Sequence, residues 1–458
     1  MVFSSLIFLF RFMPLFFICY FIVPQKYKNL CLLIFSFIFY SWGETKYIIL
    51  MITSILVDYF ISHEIYKKRN DTKIKKYLLS ASVIFNIGML FIFKYYNFII
   101  GNVNELLNTS IPVSNMTLPL GISFYTFQTM SYTIDVYKNK VNPQKNIIDF
   151  AAFVTMFPQL IAGPIVKYTD IKDKLSHRKN DWTLFQDGVE DFIVGLGKKV
   201  LLANNLGMLW EEGLNIGLNN LSMPMAWLCL LSFSLQIYYD FSGYSTMAIG
   251  LGKMLGFIFP ENFNFPYISR SISEFWRRWH MTLGAWFKEY VYIPLGGNRK
   301  GKYITYLNLF IVWLLTGLWH GAEFNFILWG LYFFILISIE KLILNKILSK
   351  SKIFSHIYTI IALLFGWAIF AVTDLKLLQE FILKLLKFEY NTQWIYYFKN
   401  YIVILTIGIV CSTPFVFNLW NRFKKVNILR TIILIAIFIF SISYLVDASY
   451  NPFLYFRF

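Results

Sequence analysis

Two of the chain's five histidines stand where solvation does not explain them. His320 lies in LTGLWHGAEFNFILWG, residues 315–330, between two apolar runs, flanked by Trp319 and Gly321 and with Thr316, Glu323 and Asn325 nearby. An ionisable side chain at bilayer depth is costly unless it faces protein or a water-filled cavity, so it is a functional candidate by default. The competing reading is a ring satisfied by a neighbouring carbonyl. His280 lies in SRSISEFWRRWHMTLGAWFKEYVYIPLGGNRKGK, residues 269–302, where Phe275, Trp276, Trp279, Trp286, Phe287 and Tyr290 alternate with Arg270, Arg277, Arg278, Lys288 and Arg299. As a helix, this segment has an apolar and a cationic face and lies in or under the headgroup layer. Anchoring to anionic lipid accounts for it; the sharper expectation is that Arg277, Arg278 and Lys288 also hold the phosphates of a cytoplasmic cofactor. His63, His177 and His356 fall at loop or helix-end positions and are expected to be solvated. Asp135 and Asp240 fall inside predicted helices, Asp240 with Ser242, Tyr244 and Ser245 as available partners, and a hydrogen-bonded structural acid is favoured for both over catalysis. A metal site built from His280, His320 and Asp240 has no local ligand spacing behind it, so no metal is expected.

The elements that must position these residues are membrane helices. Of the 458 residues 57% are hydrophobic and 15% charged, against about 25% charged in an ordinary soluble domain, too little polar surface to coat a soluble globule. The formal charge of +17, from 42 Lys and Arg against 25 Asp and Glu, sits in short gaps between apolar runs. Topology and anionic headgroups account for it, and nucleic acid is not expected as a partner. Cys19, Cys31, Cys229 and Cys411 each lie inside an apolar run, which indicates neither a disulfide framework nor a CxxC site.

Roughly twelve runs have the length and character of a spanning helix: 3–23, 29–43, 46–62, 78–100, 119–137, 184–206, 224–250, 303–319, 324–343, 356–372, 400–419 and 429–446. The first is read as a retained span, since it lacks a basic leader and a cleavage site. Residues 147–166, broken by Pro158, Gly163 and Pro164, are read as re-entrant. The loop YKKRNDTKIKKY (66–77) holds six basic residues and one acid, whereas 101–117 and 211–222 hold no Lys or Arg. The first is therefore expected inside and the other two outside. Continuing the alternation places both termini outside. With no internal repeat, the chain reads as a single integral domain, 1–458, all-α and polytopic, with about 11–12 transmembrane helices plus re-entrant and interfacial ones.

FPQLIAGPIVKY, QIYYDFSGYS, SEFWRRWHMTLGAWFKEYVYIPLGGN and LLTGLWHGAEFNFILWG, in this order between residues 119 and 330, resemble the membrane-bound O-acyltransferase family. Within it they resemble the bacterial branch that acetylates alginate and peptidoglycan and that transfers D-alanine to teichoic acid. The resemblance implies a helical membrane fold in which a cytoplasmic funnel leads to a buried histidine, mapped here to His320, with His280 as the second family histidine. It also implies an acyl group handed from a cytoplasmic thioester to an acceptor outside. IPLGGN (293–298) is closer to the acetylating members, which implies acetyl-CoA as donor. Thr246 stands where many relatives carry an acid, so no role is carried to that position. In the tail, residues 450–458, Phe453, Tyr455 and Phe458 form an F-x-Y-x-x-F pattern. It resembles the C-terminal motif of the small partner peptide of D-alanyl transfer proteins, whose tyrosine relays the acyl group. Without that likeness the same residues read as an interfacial aromatic belt.

Imidazole is the side chain whose ordinary pKa suits removing a hydroxyl proton near neutral pH. His320 is thus expected to act as general base, with His280 orienting the hydroxyl or assisting on the thioester side. The hydroxyl belongs to Tyr455, to an extracytoplasmic serine esterase-like (SGNH) acetyltransferase or to a polysaccharide. The resemblance further implies membrane lipid as a partner, an acyl carrier protein as an alternative donor, and the bacterial cytoplasmic membrane as location, multi-pass with the C-terminus extracytoplasmic. Two other readings stay open: D-alanyl transfer to teichoic acid, and export of an acylated envelope precursor without bond formation.

Overall fold

The computed structural model describes the whole chain except residues 162, 179–180, 423–426, 448–449 and 453–458, and of Asn427 the backbone alone. Among the described residues the regular structure is helical, with no strand. The chain divides into two compact units, one of Met1–Phe192 with Met247–Pro260, the other of Ile193–Thr246 with Glu261–Phe458.

The first unit holds α1 (Met13–Ile22), α2 (Lys28–Glu44), α3 (Ile48–Lys67), α4 (Thr72–Leu90), α5 (Tyr96–Leu107), α6 (Ile122–Tyr137), α7 (Ile147–Thr155), α8 (Phe157–Leu160) and α9 (Tyr168–Ser176). Aromatic rings build much of its core: Phe157 packs edge-on against Phe12 and Phe16 at 5.4 and 5.0 Å between centroids. Edge-to-face pairs of this kind contribute beyond their buried area. Its deepest charge is Asp58 on α3, which accepts from Ser82 (2.5 Å) and Asn86 (2.8 Å) of α4 and from Thr133 (3.0 Å) of α6. A buried carboxylate needs such donors, and here they tie three helices together. The Pro158 segment is two short helices separated at Met156. The freed backbone finds protein partners: the Phe157 N–H donates to Ser36 Oγ at 3.1 Å, and Gln159 Nε2 donates to the Phe153 carbonyl at 2.7 Å.

α10 (Trp182–Gly197) and α12 (Met223–Met254) cross the division between units. The second unit holds α11 (Asn204–Ile216), α13 (Ile272–Arg278), α14 (Met281–Phe287), α15 (Lys302–His320), α16 (Phe324–Ile339), α17 (Asn345–Leu348), α18 (Lys352–Ala371), α19 (Leu375–Leu386), α20 (Gln393–Cys411), α21 (Pro414–Arg422) and α22 (Asn427–Asp447). Its centre is the α15–α16 hairpin. A Cβ on Gly317 would lie 2.3 Å from the Phe326 carbonyl oxygen and one on Gly330 2.5 Å from that of Trp313. Small residues here let the two backbones meet directly, the usual device where lipid supplies no hydrophobic drive between helices.

Eight helical stretches among the described residues are long and apolar enough to cross a membrane: Ile48–Lys67, Thr72–Leu107, Trp182–Ile216, Lys302–His320, Phe324–Leu348, Lys352–Ala371, Gln393–Cys411 and Ile428–Asp447. The protein is a multi-pass, all-α membrane protein. Four of the expected runs do not qualify, for physical reasons. Phe8–Ile22 is shorter than a span, α2 has 17 residues and α6 has 16, and at about 1.5 Å per residue 17 residues reach roughly 25 Å of the ~30 Å hydrocarbon. α12 is long, with 32 residues, but polar: it carries Ser232, Ser234, Gln236, Asp240, Ser242 and Ser245, all buried. Protein, not lipid, surrounds that face.

Candidate active site

His320 is the last residue of α15, which ends at the extended Gly321. The ring is 4% exposed and meets Trp319 (5.0 Å), Trp329 of α16 (5.0 Å) and Phe370 of α18 (5.2 Å) edge-on. Asn325, at the start of α16, fixes the last of these walls by donating to the Ile369 and Phe370 carbonyls at 3.2 and 3.3 Å. Thr316 is buried and donates back to the Val312 carbonyl at 2.7 Å, whereas Glu323 is exposed.

His280 is brought to the same place. Its ring lies 5.8 Å from Trp319, which also meets His320, and 4.7 Å from Phe241. The expectation of one amphipathic helix over this segment does not hold: α13 and α14 have seven residues each and break at His280, which adopts φ +43°, ψ 52°. Left-handed backbone is strained for a residue with a side chain, and it persists because Asn262 over-determines it. Asn262 Oδ1 accepts from His280 Nδ1 (3.0 Å), Thr282 Oγ1 (2.8 Å) and the Thr282 N–H (3.3 Å), while the Asn262 carbonyl accepts the Met281 N–H at 3.0 Å. Since a backbone N–H can only donate, the Asn262 atom it meets is the oxygen. His280 therefore carries its proton on Nδ1 and its lone pair on Nε2. Burial pushes the His280 pKa down to about 3, so the ring is neutral at physiological pH.

At the start of α13, the buried Glu340 carboxylate accepts from the Ile272 N–H (2.6 Å), the Ser273 N–H (2.9 Å) and Ser273 Oγ (2.8 Å). It caps the N-terminus of α13, where the helix dipole favours an anion, and so anchors the segment that ends at His280. Of the three expected phosphate ligands, Arg277 and Lys288 are exposed. Arg278 is engaged, paired with Glu274 at 3.0 Å and donating to the Asn264 carbonyl at 3.2 Å.

Asp240 is 1% exposed and forms an ion pair with Lys199 at 2.6 Å, a partner 41 residues upstream rather than the serines and tyrosine beside it. Asp135 belongs to the first unit and faces Lys140 at 3.4 Å. Thr246 donates to the Ser242 carbonyl at 2.7 Å and accepts from Lys198 at 3.3 Å. His177 is exposed as expected, but His63 and His356 are half-buried, each with Nδ1 against a backbone carbonyl, Tyr59 at 2.9 Å and Ser269 at 3.2 Å. Phe453, Tyr455 and Phe458 lie outside the described residues. Sequence reasoning missed Asn262, Lys199 and Glu340. The two charges were visible inside apolar runs, but nothing near Asn262 marks it.

The family model for membrane-bound O-acyltransferases matches residues 5–378. The chain is 41% identical to the "probable alginate O-acetylase AlgI" of Pseudomonas aeruginosa, over 82% of this chain and 73% of that protein. It is 35% identical to the peptidoglycan O-acetyltransferase of Helicobacter pylori, over 84% and 79%. To the teichoic acid D-alanyltransferase of Bacillus subtilis it is 29% identical, over 50% and 60%. With two buried histidines meeting at one tryptophan inside a bundle matched over most of its length, the chain belongs to the membrane-bound O-acyltransferase family.

Proposed function

We propose that this O-acyltransferase moves an acetyl group from cytoplasmic acetyl-CoA to a hydroxyl destined for O-acetylation of an extracytoplasmic polysaccharide at the bacterial cytoplasmic membrane. The observation that carries the reading is the pair of buried imidazoles at Trp319, one of them held neutral with its lone pair on Nε2. In the step proposed, His320 takes the hydroxyl proton and the oxygen attacks the thioester carbonyl. A C–O bond forms, the C–S bond breaks, and the thiolate leaves with the proton returned by His320. His280 presents an acceptor to the reacting groups and orients them. The aromatic walls exclude the water that would otherwise hydrolyse the thioester.

Arg277 and Lys288, both exposed, and Arg278, paired with Glu274, are the candidates for the donor's phosphates. The hydroxyl is that of Tyr455 or of an extracytoplasmic partner of the SGNH type, the tail facing outward. The names of the two more similar relatives support acetyl and a polysaccharide acceptor. The F-x-Y-x-x-F tail and the third relative favour D-alanyl transfer as the second reading. Mass spectrometry of the groups released from envelope polymer by mild base, with and without the protein, separates the two as acetate or alanine. His320→Ala at equal membrane abundance should lower acyl content at least about 100-fold, the lower end of what a positioned base contributes. Retained acylation would end the assignment.

A further inference from the structure

Lys199 is the buried charge that the reaction above leaves without a task. It lies on a π turn, Lys198–Ala203, between α10 and α11, a distortion frequently found at functional sites, and is 1% exposed. One proton of its ammonium goes to Asp240 at 2.6 Å and another to Asn204 Oδ1 at 2.9 Å. A further one goes to the carbonyl of Pro452, near the end of the chain. The neighbouring residues of that segment are held as well. Asn204 Nδ2 donates to Asn451 Oδ1 at 3.2 Å, and the Tyr450 hydroxyl reaches Glu211 at 3.4 Å and Gln236 at 3.5 Å. The Tyr450 hydroxyl and the Gln236 side chain share the room left by Gly207 of α11, where a Cβ would come within 2.3 Å of Gln236 Nε2 and 2.8 Å of the Tyr450 hydroxyl. A charged pair inside a membrane protein needs a reason, and partner loss from such a pair is strongly destabilising. Through Lys199 this one holds Pro452, and with Asn204, Glu211 and Gln236 beside it three consecutive residues are held immediately before Phe453, the first residue of the aromatic pattern.

We propose that the Lys199–Asp240 pair, with Asn204 and the space at Gly207, is a seat for the chain's own C-terminal segment, Tyr450–Pro452, and so a positioning device for Tyr455. The seat stands on the contacts just given; its consequence for transfer rests on the reading of Tyr455 as acyl acceptor. In a background with Cys19, Cys31, Cys229 and Cys411 replaced by Ala, Pro452→Cys retains the carbonyl that Lys199 binds and reports exposure through maleimide labelling in native membranes. Two variants unseat the segment independently. Lys199→Gln with Asp240→Asn removes both charges together, and Gly207→Val changes neither charge but fills the space that Gln236 and Tyr450 share. Each, at equal membrane abundance, should raise the labelling rate at least about fivefold, as loss of local protection does, and should lower envelope acetylation in parallel. Unchanged labelling in whichever variants reach the membrane overturns the seat. Faster labelling with full acetylation, while Tyr455→Phe abolishes it, overturns the positioning role. Full acetylation by Tyr455→Phe itself removes the relay reading instead, and labelling then judges the seat alone.

Discussion

At the scale of single residues, the site turns on which atoms carry protons. Three donors converge on one oxygen of Asn262, and one of them, the Thr282 N–H, has no alternative but to donate. That fixes the His280 tautomer, and burial depresses its pKa. Asn262→Asp should reverse this, because a carboxylate accepts the same three bonds but stabilises imidazolium. As the folded pKa of His280 rises, the ring protonates at higher pH and loses its lone pair. The acid limb due to this ring should therefore move upward by about two units, from near 3 to near 5, and appear in the variant when kcat/KM is measured between pH 4 and 8. The wild type should show no limb from His280 in that range, since its ring protonates only near pH 3. An unshifted profile would mean that the His280 lone pair plays no part.

At the scale of elements, two features deliver the histidines. The α15–α16 hairpin brings His320 against Trp329 only because the backbones touch at Gly317 and Gly330. Gly317→Val inserts atoms into a main-chain carbonyl, a close approach that neither helix can relieve without separating. Activity should fall below detection and the melting temperature in detergent should drop by several degrees; a wild-type melting curve would refute the close approach. Glu340 does the same service for α13. Glu340→Ala leaves the buried Ile272 N–H, at about 1–3 kcal/mol, and the half-buried Ser273 N–H without their acceptor. Glu340→Gln keeps one acceptor oxygen and should cost less, and equal losses in thermal melts would show that the cap does not anchor the helix.

At the scale of the whole molecule, charge and hydropathy set how the chain meets its membrane. The basic residues around the α3–α4 connection, Lys67 to Lys76, include Lys73, exposed in the first turn of α4. By loop charge this connection is expected to face the cytoplasm. A Lys73→Cys reporter should thus react with a membrane-impermeant maleimide only after spheroplasts are opened, and a Cys at exposed Asn219, beyond α11, should react before. Labelling in the opposite order would invert the topology and put the donor side of the proposed reaction on the wrong face.

Membrane residence, the all-helical class and both histidines are legible in the sequence because they rest on properties that act locally: apolar runs long enough to cross hydrocarbon, and an ionisable ring where one is costly. Sequence also shows α15 ending near His320, since WHGAEF breaks the apolar period just before α16 begins. What it could not show is which groups meet across long separations. Asp240 looks as though its own serines would satisfy it, yet Lys199 pairs with it, and one expected span is lost because α12 carries a polar face that is buried in protein. Asn262 is an ordinary polar residue in a loop until the fold brings its one oxygen to His280, 18 residues away. Periodicity and composition act along the chain, whereas the proton on a ring and the partner of a buried charge depend on distances of about 3 Å between segments that only tertiary packing brings together.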